Sequence, residues 1–111
     1  MHRVVELRAY NLKPGSRTAF HQLMLERSLP MLKRWDVDVV ACGPSSHDAD
    51  SYYLIRAYES LEHRQKSQDA FYGSDEWITG PREEALALIE SYATAVLEMS
   101  VEALEVLRRK P

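Results

Sequence analysis

Arginine and tyrosine residues occur at alternate positions in two short stretches of the chain. Glu6, Arg8 and Tyr10 stand in the first stretch, and Arg56 and Tyr58 stand in the second. Alternate residues of a β-strand point to the same side of a sheet, so each stretch presents its polar side chains on one face. The guanidinium of arginine offers a rigid fork of donors that suits an oxyanion. We therefore predict that these five residues line a cavity that binds a carboxylate, an enolate or a phenolate.

A second interpretation of the same residues is purely structural. Glu6 can be held by Arg8 or Arg56 in a satisfied ion-pair network, with the tyrosines as amphipathic wall residues. The sequence by itself does not separate a binding site from such a network.

Other residue types give weaker signals for chemistry. His21 lies beside the apolar stripe of a predicted helix, where it is either a packing residue or a general base at a cavity mouth. His63 and Arg64 are predicted to lie on a solvent-exposed helix face, and Cys42 is predicted to be a small buried residue. No zinc-like spacing, Ser-His-acid order, phosphate loop or dinucleotide fingerprint occurs, so we expect no metal and no cofactor.

Length and composition indicate a single domain that spans residues 1–111. The chain has 45% hydrophobic and 28% charged residues, which is typical of a globular protein. A formal net charge of −3 argues against nucleic acid as a partner. No apolar run reaches the ~20 residues of a membrane-spanning helix, and the first residues lack the apolar core of a secretion signal. With a single cysteine, the composition favours a cytoplasmic location.

Hydrophobic periodicity and turn residues predict strands and helices in a regular order. Strands alternate apolar and polar residues, whereas helices repeat apolar residues every three or four positions. Pro30 lies inside the first helix, which it should kink or restart. The predicted order is strand 4–10, helix 17–35, strand 37–43, strand 51–59, helix 61–72, a turn at 74–77 and a helix that opens at 81.

The stretch 82–110 contains no glycine or proline and fits two different structures. It is compatible with one long helix, but β-branched and aromatic residues concentrate at 92–99, which favours a strand. Ser100 would then cap a last helix, 101–110. We predict the strand, because a sheet of only three strands would leave too much of the hydrophobic core uncovered.

This order of elements is that of a ferredoxin-like α+β fold, βαββαβ, with a four-stranded antiparallel sheet and extra C-terminal helices. The apolar row of the sheet is predicted to face the helices, and the polar, aromatic row to face away from them. Because the polar row is too aromatic for water and too charged for a dry core, we expect a second copy of the sheet to cover it in a homodimer with a polar-lined cavity. The apolar row comprises Val5, Leu7, Ala9, Tyr53, Ile55 and Ala57; the polar row comprises Glu6, Arg8, Tyr10, Tyr52, Leu54, Arg56 and Tyr58, with Thr94, Val96 and Glu98 as further members.

Four segments, in the expected order, resemble parts of NIPSNAP domains. Residues 6–15, Glu-Leu-Arg-Ala-Tyr-Asn-Leu-Lys-Pro-Gly, resemble the opening strand and turn of these domains. Residues 28–30, Ser-Leu-Pro, resemble the end of the family's first helix, and residues 54–61, Leu-Ile-Arg-Ala-Tyr-Glu-Ser-Leu, resemble its third strand and second helix cap. Residues 74–77, Ser-Asp-Glu-Trp, are similar to its Asp-Pro-Glu-Trp turn, although the proline is missing. The loop 44–50 departs from the family pattern, and the last helix has no counterpart in it.

The resemblance implies a dimeric α/β barrel, in which two ferredoxin-like sheets close across the dimer. The family has no single established reaction, so the implied function is that of a homodimer whose small polar and aromatic cavity binds a small organic anion. Three alternatives stay open: a cofactor-independent monooxygenase acting on a small phenolic substrate, a haem-handling protein, and a non-catalytic interaction module. Haem would need an axial ligand, and no histidine falls on the polar row.

Overall fold

The computed structural model describes residues 1–109, so the end of the predicted last helix, Lys110, lies outside the described residues. The strands are β1 (His2–Leu12), β2 (Asp38–Pro44), β3 (Ser51–Tyr58) and β4 (Ile89–Ser100). The helices are α1 (Arg17–Leu23), α2 (Leu29–Arg34), α3 (Leu61–Tyr72), α4 (Asp75–Ile78), α5 (Arg82–Leu88) and α6 (Val101–Arg108), with a π-helical turn, Met24–Ser28, between α1 and α2. Among the described residues, no helix has the length and apolar character that crossing a membrane requires.

The four strands are antiparallel and lie in the order β2-β3-β1-β4. Together with the order of the elements along the chain, this confirms the predicted ferredoxin-like α+β fold. β1 pairs with both β3 and β4, so Glu6 lies between Arg56 and Val96. The predicted fourth strand is confirmed, and it starts earlier than expected because α5 ends at Leu88.

The prediction of which sheet face the helices cover is wrong. The polar row is buried beneath the helices, whereas much of the apolar row is turned away from them: Glu6 has 0% of its surface exposed, while its neighbour Leu7 is 39% exposed. Tyr52, in the polar row, packs with Phe20 and Met24 from the first helical segment. The physical reason is that large aromatic rings bury more apolar area than small aliphatic side chains, and the charged groups between them pair with one another.

The opposite side of the sheet, called the outer face below, is covered only at one end. There, Leu104 of α6 packs against Val5, Val40 and Ala57. The rest of the face is open: Leu7 is 39% exposed, and Leu97, the β4 partner of Val5, is 44% exposed. The outer face carries Arg3, Val5, Leu7 and Ala9 from β1, Asp38, Val40 and Ala41 from β2, Tyr53, Ile55 and Ala57 from β3, and Ala93, Ala95, Leu97 and Met99 from β4.

Helix starts and one helix irregularity follow from local chemistry. The side chains of Ser60, Ser74 and Ser100 each accept a hydrogen bond from the backbone N–H three residues later, which begins α3, α4 and α6. Pro30 lacks an N–H, and in a regular α-helix its ring would clash with the carbonyl four residues earlier. The π-helical turn just before Pro30 widens the helix there, so the predicted irregularity is confirmed.

Candidate functional site

Glu6 and Arg56 form a buried ion pair between β1 and β3. The two residues are direct partners in the strand register, and 0% and 1% of their surfaces are exposed. Arg56 Nε donates to Glu6 Oε1 at 3.0 Å, and Arg56 Nη2 donates to the same oxygen. Strand alternation puts both side chains on the face that the helices cover. A buried pair is stable only when its remaining polar atoms also find partners.

Helix α3 supplies those remaining partners. Arg64, Gln68 and Tyr72 are four residues apart, so they lie on one face of the helix. Arg64 Nε and Nη2 donate to Glu6 Oε2 at 3.0 and 2.6 Å, and Gln68 Nε2 donates to the same oxygen at 2.6 Å. The prediction that Arg64 is solvent-exposed is therefore wrong: its side chain is 20% exposed. The four-residue spacing of these polar side chains is the sequence signal that would have revealed them.

This cluster holds more positive than negative charge. Arg8 Nη2 lies 3.6 Å from Glu6 Oε2, so Arg8, Arg56 and Arg64 share one carboxylate. Within residues 1–109, no other carboxylate forms an ion pair with these three guanidinium groups, which leaves two positive charges uncompensated. Burial by itself raises the pKa of the Glu6 carboxyl. The charge of Arg56 and the hydrogen bonds from Gln68 and Arg56 have the opposite and larger effect, so the pKa is lowered to about 2. Glu6 is therefore ionised at neutral pH.

A cavity of about 350 Å³ lies between the sheet and the helices, beside the charged cluster. Its volume falls within the range of small-molecule sites. Arg8, Gln68 and Tyr72 form a polar part of its wall, and Arg82, which is exposed, also lines it. Most of the wall is apolar and aromatic, and includes Tyr10, Phe20, Leu54, Phe71, Trp77 and Tyr92.

Arg8 connects the charged cluster to the cavity. Its guanidinium carbon lies 4.8 Å from the ring centre of Tyr92 and 6.0 Å from that of Tyr72, within cation–π range. Arg8 Nη1 donates to the hydroxyl of Tyr72 at 3.4 Å. The Nε–H of Arg8 is buried and has no hydrogen-bond partner among the described residues. One donor of this guanidinium is thus still unused.

The five predicted site residues lie together on the covered face, but in two different environments. Arg8 and Tyr10 line the cavity. Burial raises the pKa of Tyr10 to about 12, so its hydroxyl stays protonated at neutral pH. Glu6, Arg56 and Tyr58 lie behind the wall, in the hydrogen-bonded network. This cavity is formed within one chain; its use as a binding site, and a cavity between the two sheets of a homodimer, stay predictions.

His21 is not positioned to act as a base in the cavity. Its Nδ1 lies 2.6 Å from the hydroxyl of Tyr52, which is fully buried, and the histidine is not part of the cavity lining. The same hydroxyl lies 3.8 Å from Cys42 Sγ, and Cys42 is half-buried rather than buried. No group of three metal-binding side chains occurs in the described part of the chain.

Comparison with known families assigns the domain. The NIPSNAP family model matches residues 5–100, which run from β1 to the end of β4. Helix α6 follows directly after the matched region. No curated protein compared with the chain matches it.

Several solved structures share the fold of this chain. A NIPSNAP family protein from Agrobacterium tumefaciens has a TM-score of 0.83 at 17% identity, covering 94% of this chain and 91% of that one. Another from the same organism, described as having unknown function, has a TM-score of 0.80 at 20% identity, with 89% of each chain covered. A protein from Nitrosomonas europaea, provisionally named an antibiotic biosynthesis monooxygenase, has a TM-score of 0.62 at 14% identity, covering 88% of this chain and 98% of that one. With the family model matching nearly all of its folded part, the chain belongs to the NIPSNAP family.

Proposed function

We propose that this protein is a homodimer in which each chain binds a small organic anion in its cavity. The observation that carries the proposal is the charge of the cavity wall. Three guanidinium groups share the carboxylate of Glu6, and one of them, Arg8, lines the cavity. Buried charge without a partner is costly, so an anion beside Arg8 gains more than a neutral molecule of the same shape.

The rest of the wall limits what kind of anion fits. A few polar groups within a mainly apolar and aromatic lining are typical of a small-molecule site. An inorganic anion would leave the aromatic wall without a partner, whereas a carboxylate, enolate or phenolate on an apolar body would contact both parts. The open volume also counts against a pure interaction module, for which a collapsed interior is expected.

The open part of the outer face supports the homodimer. It carries no charged side chain and presents Leu7 and Leu97 to solvent, whereas the charged residues of this face, Arg3 and Asp38, lie towards the end where α6 packs. An uncharged apolar surface can pack against a second copy of itself about a two-fold axis without opposing like charges. In the proposed dimer the two outer faces meet, so each cavity stays within its own chain.

Binding of simple acids tests the anion proposal. Benzoate, phenylacetate and hexanoate are expected to raise the melting temperature, whereas benzyl alcohol is not. Arg8→Met keeps an unbranched side chain as far as the position of Nε but removes the charged guanidinium group, so it should weaken binding by about 10- to 100-fold in calorimetry, the range for a hydrogen bond to a charged group.

Arg3→Met is the matched control, because Arg3 lies on the same strand but is not part of the cavity lining. Its affinity for the acids should equal that of the unaltered protein. If no acid binds, or if Arg8→Met binds the acids as tightly as the unaltered protein, the anion site is wrong.

Cofactor-independent oxygenation of a small phenolic substrate is a second candidate function. It is favoured by the presence of Arg8 beside the cavity, since a cation stabilises a phenolate, and by the fold shared with the N. europaea protein. An oxygen electrode should then record oxygen consumption with a small hydroquinone, and Arg8→Met should slow it. No consumption with hydroquinones that demonstrably bind would exclude this candidate.

A further inference from the structure

The hydrogen bonds that the Tyr72 hydroxyl already makes determine whether a ligand can pair with it as a donor or as an acceptor. Its oxygen accepts hydrogen bonds from Arg56 Nη1 at 2.8 Å and from Arg8 Nη1 at 3.4 Å. A phenol has two acceptor positions and one O–H donor. Both acceptor positions are therefore occupied, and none of the hydrogen bonds found among the described residues uses the O–H. Since Tyr72 lines the cavity, a ligand can meet this hydroxyl only as an acceptor.

The ring of Tyr72 is held in place on several sides. Its centre lies 4.9 Å from that of Phe71 and 5.4 Å from that of Trp77, both nearly perpendicular to it. The guanidinium of Arg56 lies 5.7 Å from the ring centre. A donor that is already ordered loses little conformational freedom when a ligand binds, which raises its contribution to affinity.

Arg8 and Tyr72 together define a polar end that only donates. Arginine has no acceptor, and the acceptor positions of the Tyr72 oxygen are taken. A carboxylate has acceptors only and therefore matches both groups. An alcohol or amide would bring an N–H or O–H that finds no acceptor on Arg8 or Tyr72 and would have to turn to the side-chain carbonyl of Gln68 instead; a buried donor left unpaired is penalised.

The remaining wall indicates the rest of the ligand. Rings of Phe20, Phe71 and Trp77 face the cavity, and aromatic pairs gain energy beyond their buried area. Arg82 is exposed, so a second carboxylate within the buried part of the cavity would lie among apolar groups without a partner.

We infer that the ligand is an aromatic monocarboxylate, and that Tyr72 donates its O–H to the carboxylate beside Arg8. The inference rests on the proposed anion site and narrows it to a ligand class and a further binding residue.

The experiment compares Tyr72→Phe with the unaltered protein by calorimetry, using 3-phenylpropionate, 3-phenylpropanol and phenylsuccinate as probes. Tyr72→Phe keeps the ring contacts and removes only the hydroxyl, so affinity for 3-phenylpropionate should fall about 10- to 100-fold. Tyr53→Phe is the matched control, because Tyr53 lies on the outer face, and its affinity should not change. The unaltered protein should bind the monocarboxylate at least about tenfold more tightly than the alcohol or the dicarboxylate.

A spectroscopic signal gives an independent measurement. The chain has two tryptophans, and Trp77 lines the cavity. In a Trp35→Phe background, binding of 3-phenylpropionate should change the fluorescence emission of Trp77. When Tyr72→Phe is also present, a higher concentration of 3-phenylpropionate should be needed for the same change.

Each outcome tests a different part of the proposal: the anion site, the role of Tyr72 or the ligand class. If 3-phenylpropionate and the other acids do not bind at all, the proposed anion site fails. If 3-phenylpropionate binds and Tyr72→Phe binds it equally well, the anion site stands and the role of Tyr72 is wrong. If the alcohol binds as tightly as the acid, or phenylsuccinate binds more tightly, the ligand class is wrong; this comparison uses the unaltered chain and holds even if Tyr72→Phe does not fold.

Discussion

Glu6 is a fully buried carboxylate at the centre of the covered sheet face. Its two oxygens accept hydrogen bonds from Arg56, Arg64 and Gln68, so its acceptors are satisfied without water. Such a pair adds little net stability over well-packed apolar residues, because taking charges out of water is costly. Once it is present, however, removal of one member leaves the other charges buried and unpaired.

Glu6→Gln is therefore expected to destabilise the protein by about 3–5 kcal/mol at neutral pH, measured by urea unfolding. The loss should shrink in acid. The pKa of Glu6 is lowered to about 2 in the folded protein, whereas an unfolded glutamate titrates near pH 4.3. The stabilisation by ionised Glu6 is then fully present above about pH 4.5 and is lost as the pH falls towards 2.

Glu62→Gln is the control for this prediction, because Glu62 pairs with Lys66 on the surface. Its effect should stay below about 0.5 kcal/mol at every pH. An equally small effect of Glu6→Gln, or stability curves for Glu6→Gln and the unaltered protein that stay parallel down to pH 2, would contradict the role assigned to Glu6.

The grouping of the site residues was predictable at this scale, but their roles were not. Period-two alternation correctly puts Glu6, Arg8 and Tyr10 on one face, opposite Arg56 and Tyr58. Which of them reaches the cavity depends on how far each side chain extends and on what the helices bring against it. Arg8 lines the cavity while it also approaches Glu6 Oε2 at 3.6 Å, whereas Arg56 and the α3 side chains hydrogen-bond the carboxylate of Glu6.

At the scale of the elements, α3 and α6 attach to the sheet by different means. α3 buries few apolar side chains, chiefly Phe71, and is held by the stripe of Arg64, Gln68 and Tyr72. Hydropathy alone therefore does not show which side of α3 is inside. α6 attaches through Leu104, which is buried on the outer face, and through a double hydrogen bond from Arg108 to Asp38.

Leu104→Ala is expected to destabilise the protein by about 2–5 kcal/mol, because it removes buried methyl groups between α6 and the sheet and leaves a cavity. Urea or thermal unfolding measures the change. Val106→Ala in the same helix is the control, since Val106 is 65% exposed and its truncation should cost under about 0.5 kcal/mol. If both variants lose equally little, α6 does not contribute to the core as described.

For the molecule as a whole, the two sides of the sheet differ in what covers them and in what they contain. One side, with its helices, contains the charged cluster and the cavity. The other side is apolar, and α6 covers only part of it. This division leaves an open hydrophobic surface away from the candidate site, which is the basis of the proposed dimer.

Sedimentation velocity tests the dimer directly. The unaltered protein should be a dimer at micromolar concentration, and Leu7→Arg should be a monomer that keeps its fold, because two charges would be brought together in the middle of the apolar contact. Leu61→Arg is the control, since Leu61 is 65% exposed at the start of α3 and outside the outer face; it should remain dimeric. A monomeric unaltered protein would rule out the proposed assembly.

The sequence by itself determined the elements, their order and the two rows of the sheet, because strand alternation, turn residues and serine caps are local properties. It also carried the resemblance to the NIPSNAP family, which the match over residues 5–100 confirms. Only the tertiary structure decided which row the helices cover, and it reversed the prediction. Hydropathy treats Glu6 and Arg56 as separate charges that belong in water, whereas in the fold they are buried together. Their partners come from α3, more than fifty residues after Glu6, and no local pattern can supply that contact.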